Sequence, residues 1–256
     1  MHPRLEKAQQ IQKNFDSMMS ALECLLDYKS TINSLIICGK GGCGKTYNVE
    51  KRLKEAHDRA EINFTSISGK VSTMGLYETL YKTRNSTDVL VLDDVDVFNS
   101  EANFDLLKAI LDTSDERVVS YATTNKHLKN NGIPMSFDYR GKVIFITNKD
   151  LSKMAKSNTK LAPHVDALLT RSIFVDLQIF SNEEVMIHIE NIMLSTNILK
   201  NYGINQSGST QIMNWMLKHE SKLRSPSLRM PVLIASLYNK FPYDWEERCE
   251  NLFLEK

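Results

Sequence analysis

Gly39-Lys40-Gly41-Gly42-Cys43-Gly44-Lys45-Thr46 is the stretch on which the fold turns. It fits the pattern G-x-x-x-x-G-K-[ST]. Ser34-Leu35-Ile36-Ile37-Cys38 before it reads as a buried strand, and Tyr47-Asn48-Val49-Glu50-Lys51-Arg52-Leu53 after it as the start of a helix. A strand, a glycine-rich turn and a helix N-terminus together form an anion site: backbone N–H groups converge and the helix dipole favours negative charge. Glycine lets the backbone turn sharply and approach phosphate oxygens with no Cβ in the way. In this pattern Gly39, Gly41, Gly42, Cys43 and Gly44 line the phosphates. Lys45 reaches the β- and γ-phosphates and Thr46 places its hydroxyl on Mg²⁺, so the expected cofactors are ATP and Mg²⁺. With a strand before it and a helix after it, a chance glycine-rich turn is the weaker reading.

Val89-Leu90-Val91-Leu92-Asp93-Asp94 is the second decisive stretch. An unbroken apolar run marks a strand buried on both faces, as in a parallel sheet. Two carboxylates at its C-terminal end fall where ligands bind in open α/β sheets. Asp93 suits the Mg²⁺ shell, through a bound water, and Asp94 suits polarisation of an attacking water. A strand ending in solvated acids is the competing reading, and it is weaker after a phosphate loop.

The 256 residues suffice for one large domain or two small ones. A net charge of +1 argues against a uniformly basic coat, so any nucleic-acid contact must be local. Cys24, Cys38, Cys43 and Cys249 show no C-x-x-C spacing, and two of them flank or sit inside the phosphate loop, which reads as reduced thiols. The histidines are scattered, none at metal-ligand spacing. No apolar run suits a membrane span and the N-terminus has no apolar signal core, so a cytoplasmic protein is expected.

Along the chain, apolar residues recur at helical steps over 5–29. Further strands are expected at Ile62 to Ser68, Arg117 to Ala122, Lys142 to Asn148 and Ser172 to Leu177, with helices between. Thr124 to Pro134 reads as a polar loop carrying Lys126, His127 and Lys129, and residues 149–163 as a lysine-rich loop. From Ser181 strand signals vanish, and helical patterns cover about 182–196, 209–222, 226–240 and 243–254. Ser181, or Asn182, with Glu184 close behind resembles a helix start. The expected organisation is an N-terminal helix (1–29), an α/β nucleotide-binding domain (30–180) and a helical lid (181–256).

This ordered set of motifs resembles the AAA+ ATPases over about residues 30–240. The resemblance implies a P-loop NTPase: a five-stranded parallel sheet with flanking helices, followed by a small all-helical lid. Gly39 to Thr46 matches the family's Walker A loop and Val89 to Asp94 its Walker B strand. Asn148, ending Val143-Ile144-Phe145-Ile146-Thr147, looks like sensor 1, whose amide positions the water near the γ-phosphate. Asp166-Ala167-Leu168-Leu169-Thr170-Arg171 resembles the segment that presents an arginine finger, Arg171, to a neighbouring subunit. Ser227-Leu228-Arg229 resembles sensor 2, with Arg224 as a rival to Arg229. The family works as homo-oligomeric rings, commonly of six. The chain also looks like stand-alone AAA+ proteins of phages and mobile elements.

It departs from the family in three ways. The usual Walker B glutamate is Asp94, one methylene shorter, which points to slow hydrolysis. Gly69-Lys70-Val71-Ser72-Thr73-Met74-Gly75 stands where unfoldases carry an aromatic–aliphatic–glycine pore loop; it keeps Met-Gly and lacks the aromatic. The sequence carries no recognisable substrate-binding domain. Residues 116–142 resemble the pre-sensor-1 β-hairpin of one AAA+ branch, which projects into the ring's pore, although a solvated lysine loop is an equal reading. Three functions compete: an oligomeric motor or switch on DNA (helicase, helicase loader or replication-associated factor), a remodeller of a protein client, and a slow-turnover ATP-dependent scaffold.

Overall fold

The computed structural model describes residues 3–112, 114, 116–123 and 126–255, apart from the side chains of Phe98 and Asn99. The start of the loop expected from Thr124 therefore lies outside the described residues. Contacts divide the chain into two compact units: Asp16–Cys38 with Lys45–Leu177, and Met1–Phe15 with Gly39–Gly44 and Gln178–Lys256.

The first unit is built on a five-stranded parallel sheet, ordered β2-β3-β6-β1-β7. Its strands are β1 (Ser34–Cys38), β2 (Asn63–Ser68), β3 (Asp88–Asp93), β6 (Lys142–Thr147) and β7 (Ile173–Asp176). The three inner strands are buried almost end to end, as their unbroken Leu, Ile and Val runs require of a sheet covered on both faces. β2 is an edge strand, and its polar residues are largely exposed. Helices α2 (Lys45–Asp58), α3 (Thr73–Lys82), α4 (Glu101–Ile110) and α7 (Ala162–Leu169) flank the sheet. One core cluster joins Leu90, Leu92, Val143 and Phe145 to Leu76, Tyr77 and Leu80 of α3, Phe104 and Leu107 of α4, and Val165 and Leu168 of α7.

Between α4 and β6 lies an antiparallel pair, β4 (Val118–Ser120) with β5 (Ser136–Asp138). Two stretches read as loops contain helix. Lys126–Asn130 forms α5, and Leu151–Ala155 forms α6 behind an Asp150 cap that accepts from Lys153 N–H at 2.9 Å. Each is five residues long, too short to show a helical period, and each turns one leucine (Leu128, Leu151) into the core.

The second unit holds α8 (Asn182–Ser195), α9 (Gln206–Lys218), α10 (Arg229–Lys240) and α11 (Trp245–Phe253), with the first half of α1 (Pro3–Leu26). Ser181 starts α8 with a full capping box: its hydroxyl accepts from Glu184 N–H at 3.1 Å, and Glu184 returns the bond to Ser181 N–H at 2.9 Å. Arg4 of α1 bonds Glu190 of α8 at 2.9 Å.

His188 of α8 is buried, with its ring stacked on that of Phe15 at 4.5 Å. Burial pushes its pKa down from 6.5 to about 4. The unfolded chain therefore binds the extra proton first. The stability from a neutral His188 is complete above about pH 6.5 and is lost as pH falls through 6.5 toward 4. The loss is on the order of 3 kcal/mol. Denaturant titrations between pH 7.5 and 4 should show this slope in the wild type and a flatter one in His188→Phe; equal slopes would contradict it.

Candidate functional site

Parallel pairing sets the site. β6 lies between β1 and β3, with Cys38 opposite Thr147 and Asp93 opposite Ile146. The C-terminal ends of the three strands are therefore level. The residues that follow them meet in the α/β unit: Lys45 and Thr46 opening α2, Asp93 and Asp94 ending β3, and Asn148 after β6.

They meet through hydrogen bonds. Lys45 Nζ donates to Asn148 Oδ1 at 2.8 Å. Asn148 Nδ2 donates to Asp94 Oδ2 at 2.5 Å, and Asn148 N–H donates to Asp94 Oδ1 at 3.1 Å. Asn148 thus bridges Lys45 and Asp94. Lys45 is 5% exposed, and its ammonium reaches the exposed Asn148 amide. Thr46 Oγ1 donates to Asp93 Oδ2 at 2.9 Å. Burial first, and then the nearby Asp94, push the Asp93 carboxyl above the usual carboxylate range, against the opposing effect of the Thr46 bond. Two hard oxygen donors side by side, one a carboxylate that is costly to bury alone, fit a Mg²⁺ ion.

Asp94 has φ +49°, an uncommon conformation for a side-chain-bearing residue. Its N–H donates to Ile146 O at 2.8 Å, which ties the turn after β3 to β6. Strain of this kind persists where surrounding structure imposes it, and it concentrates at functional sites.

In the helical unit, the phosphate-loop glycines Gly42 and Gly44 have φ +75° and +95°, which is open to glycine at no steric cost. Cys43 between them is buried. Leu228 N–H donates to Gly42 O at 2.8 Å. Arg229, the next residue, is exposed at the start of α10. A cation there opposes the helix dipole unless an anion is near. The rival Arg224 is tied elsewhere: Nη2 donates to Leu254 O at 3.1 Å and N–H to Phe253 O at 2.9 Å.

Arg171 is not part of this constellation. It is exposed just before β7, at the N-terminal edge of the sheet, with Nη1 donating to Ala167 O at 2.8 Å. The site lies at the other, C-terminal edge. Of the basic residues in the 116–142 insertion, two are internal. Arg117 is buried and donates to Ile110 O at 2.8 Å and Gly141 O at 3.1 Å. Lys142 donates to Leu25 O and to Asp27 O, the latter at 2.9 Å. Lys126, Lys129 and Arg140 remain exposed. Sequence reading passed over His188, whose Nε2 lies 3.0 Å from Cys43 O; nothing local marks a partner 145 positions away.

The AAA family, ATPases associated with various cellular activities, matches residues 35–146. A 36.7 kDa protein of Enterobacteria phage T4, from the nrdC-mobD intergenic region, is 38% identical over 237 residues, covering 93% of this chain and 72% of its own length. Among solved structures, the RuvB Holliday junction branch migration motor of Thermotoga maritima superposes with a TM-score of 0.56 at 12% identity, over 94% of this chain and 68% of its own. AMPPCP-bound DnaA from Aquifex aeolicus gives 0.54 at 17%, over 94% and 65%. Domain III of Thermotoga maritima DnaA gives 0.51 at 14%, over 95% and 93%. The matched span takes in Lys45, Thr46, Asp93 and Asp94, and the chain belongs to the AAA+ family of P-loop ATPases.

Proposed function

We propose that the chain is an ATP-hydrolysing AAA+ motor or switch that assembles into a homo-oligomeric ring, six-membered, and acts on DNA in the cytoplasm as a helicase, helicase loader or replication-associated factor. The observation that carries hydrolysis is the bridge Lys45–Asn148–Asp94 beside the Thr46–Asp93 pair. It sets a cation for the phosphates, a base for water and a donor between them within one hydrogen-bonded set.

Bound Mg-ATP would supply the γ-phosphoryl group and the neutralising metal charge. Lys45 would hold the phosphate end, and Thr46 and Asp93 would hold the metal. Asp94 orients the attacking water and takes its proton, which requires hydrogen-bond reach of about 2.6–3.2 Å. Asn148 keeps Asp94 in place. Arg229 answers phosphate charge from the start of α10. Arg171 serves a neighbour's site, because it stands at the opposite edge of the sheet from its own. Such fingers are worth about 10³ to 10⁵ in rate elsewhere.

The preference for DNA rests on the exposed Lys126 and Lys129 of the β4–β5 insertion, and on two neighbours in fold, a branch migration motor and DnaA. Repeated around a ring, these lysines make a positive collar that suits a phosphate backbone with little base readout. Should DNA binding fail, the protein-remodelling reading takes its place.

Two experiments test this. A ligand that binds only the folded state adds roughly 3 kcal/mol at a hundredfold excess over Kd. Mg-ATP should raise the wild-type Tm accordingly and leave Lys45→Ala unmoved. Arg171→Ala should keep the Tm rise, lose turnover, and regain part of it when mixed with Lys45→Ala. An unchanged rise in Lys45→Ala removes the nucleotide assignment; no rescue in the mixture removes the shared site.

The second measures DNA binding with a non-hydrolysable ATP analogue across a salt series. Lys126→Ala/Lys129→Ala should bind more weakly, with a salt slope shallower per engaged tip by about 1.4 on single strands and about 1.8 on duplex. Equal affinity and slope would place the DNA contact elsewhere.

A further inference from the structure

The helical unit holds the phosphate loop by its main chain. Lys40 N–H donates to Ile179 O at 2.6 Å, and Lys40 Nζ bonds Asn182 Oδ1. Leu228 N–H donates to Gly42 O at 2.8 Å. His188 Nε2 lies 3.0 Å from Cys43 O. A carbonyl can only accept, so Nε2 carries the proton. Nδ1 is buried with no hydrogen-bond partner among the described residues. The ring is fixed by its stack on Phe15, whose plane is within 3° of parallel.

Peptide planarity turns these bonds into an orientation. In a trans peptide the N–H points opposite to the C=O. Holding Gly42 O toward Leu228 turns Cys43 N–H away from α10. Holding Cys43 O toward His188 turns Gly44 N–H away from α8. These are two consecutive donors of the loop that must face a phosphate. Side-chain space adds a third constraint. A Cβ on Gly42 would lie 2.6 Å from Ser227 Cβ, so the start of α10 approaches the loop as closely as glycine permits.

We infer that His188 is a positioning residue for phosphate binding: through its bond to Cys43 O it sets the Gly44 peptide plane, and α8 thereby presets the anion cradle. The inference deepens the nucleotide reading above and rests on it. It assigns to a buried lid residue a role that the phosphate-loop motif does not contain.

The test compares His188→Phe and His188→Asn, which remove the donor or withdraw it by reach, with His188→Gln, whose side-chain amide restores an N–H. Mg-ATP and Mg-ADP affinities are measured by calorimetry. Hydrogen exchange of the peptide covering residues 39–46 is measured in nucleotide-free protein. Phe and Asn should each weaken both nucleotides about tenfold, the worth of one hydrogen bond, and speed exchange in that peptide. Gln should stay within about twofold of wild type in both. If Phe does not fold, Asn against Gln decides the matter. Wild-type affinity and exchange in the Phe or Asn protein would overturn the assignment. So would a folded Gln protein as weak as Asn, since packing rather than the donor would then be the cause. If the wild type binds no nucleotide, the nucleotide reading fails by itself, and faster exchange in Phe or Asn with protection restored in Gln still upholds the clamp, while unchanged exchange ends it.

Discussion

The placement of β6 between β1 and β3 is the constraint on which the rest of the α/β unit depends. Its in-register pairing puts Cys38 beside Thr147 and Ile146 beside Asp93. Three loops then leave the sheet at one level, and Asn148 stands between Lys45 and Asp94 with a donor for one and an acceptor for the other. A one-residue slip of a parallel strand would carry its side chains to the opposite face. β6 is apolar on both faces, so its ends oppose the slip, which would carry Lys142 or Asn148 into the buried register. Core packing thus sets the geometry of a polar site whose own hydrogen bonds contribute little net stability.

The site also shows how a buried lysine and two acids coexist. Lys45 bonds the Asn148 amide and Asp93 accepts from the Thr46 hydroxyl, while the Lys45 charge also acts on Asp93. Burial still raises the Asp93 carboxyl, because loss of water and the nearby Asp94 outweigh Thr46 and Lys45. In the proposed nucleotide site, phosphates would add charge opposite Lys45 and a divalent cation would add charge opposite Asp93. The strained φ of Asp94 belongs to the same arrangement, since the backbone conformation brings its carboxylate to Asn148.

Much of this was legible in the sequence because the signals are local. The Walker A loop, the apolar strands ending in Asp93-Asp94 and in Asn148, and the Ser181–Glu184 cap each occupy a few consecutive residues. What escaped was short or long-range. Helices α5 and α6 are single turns anchored by Leu128 and Leu151. The insertion offers fewer basic groups to a ligand than its composition suggests, because Arg117 and Lys142 are committed to backbone carbonyls as far as 117 positions away. The likeness to RuvB and DnaA, at 12–17% identity, lies in the fold, and specific chemistry has to be argued from the side chains.

The central claim is that Lys45, Asn148 and Asp94 act as one unit. A double-mutant cycle on steady-state ATP turnover tests it most directly, using Asn148→Ala, Asp94→Asn and the pair, with nucleotide affinity measured alongside. Groups that act together are strongly non-additive. The account predicts that each single variant keeps ATP binding and loses turnover, and that the double variant is scarcely worse than either. Independent, multiplying losses, or wild-type turnover in Asp94→Asn, would contradict it.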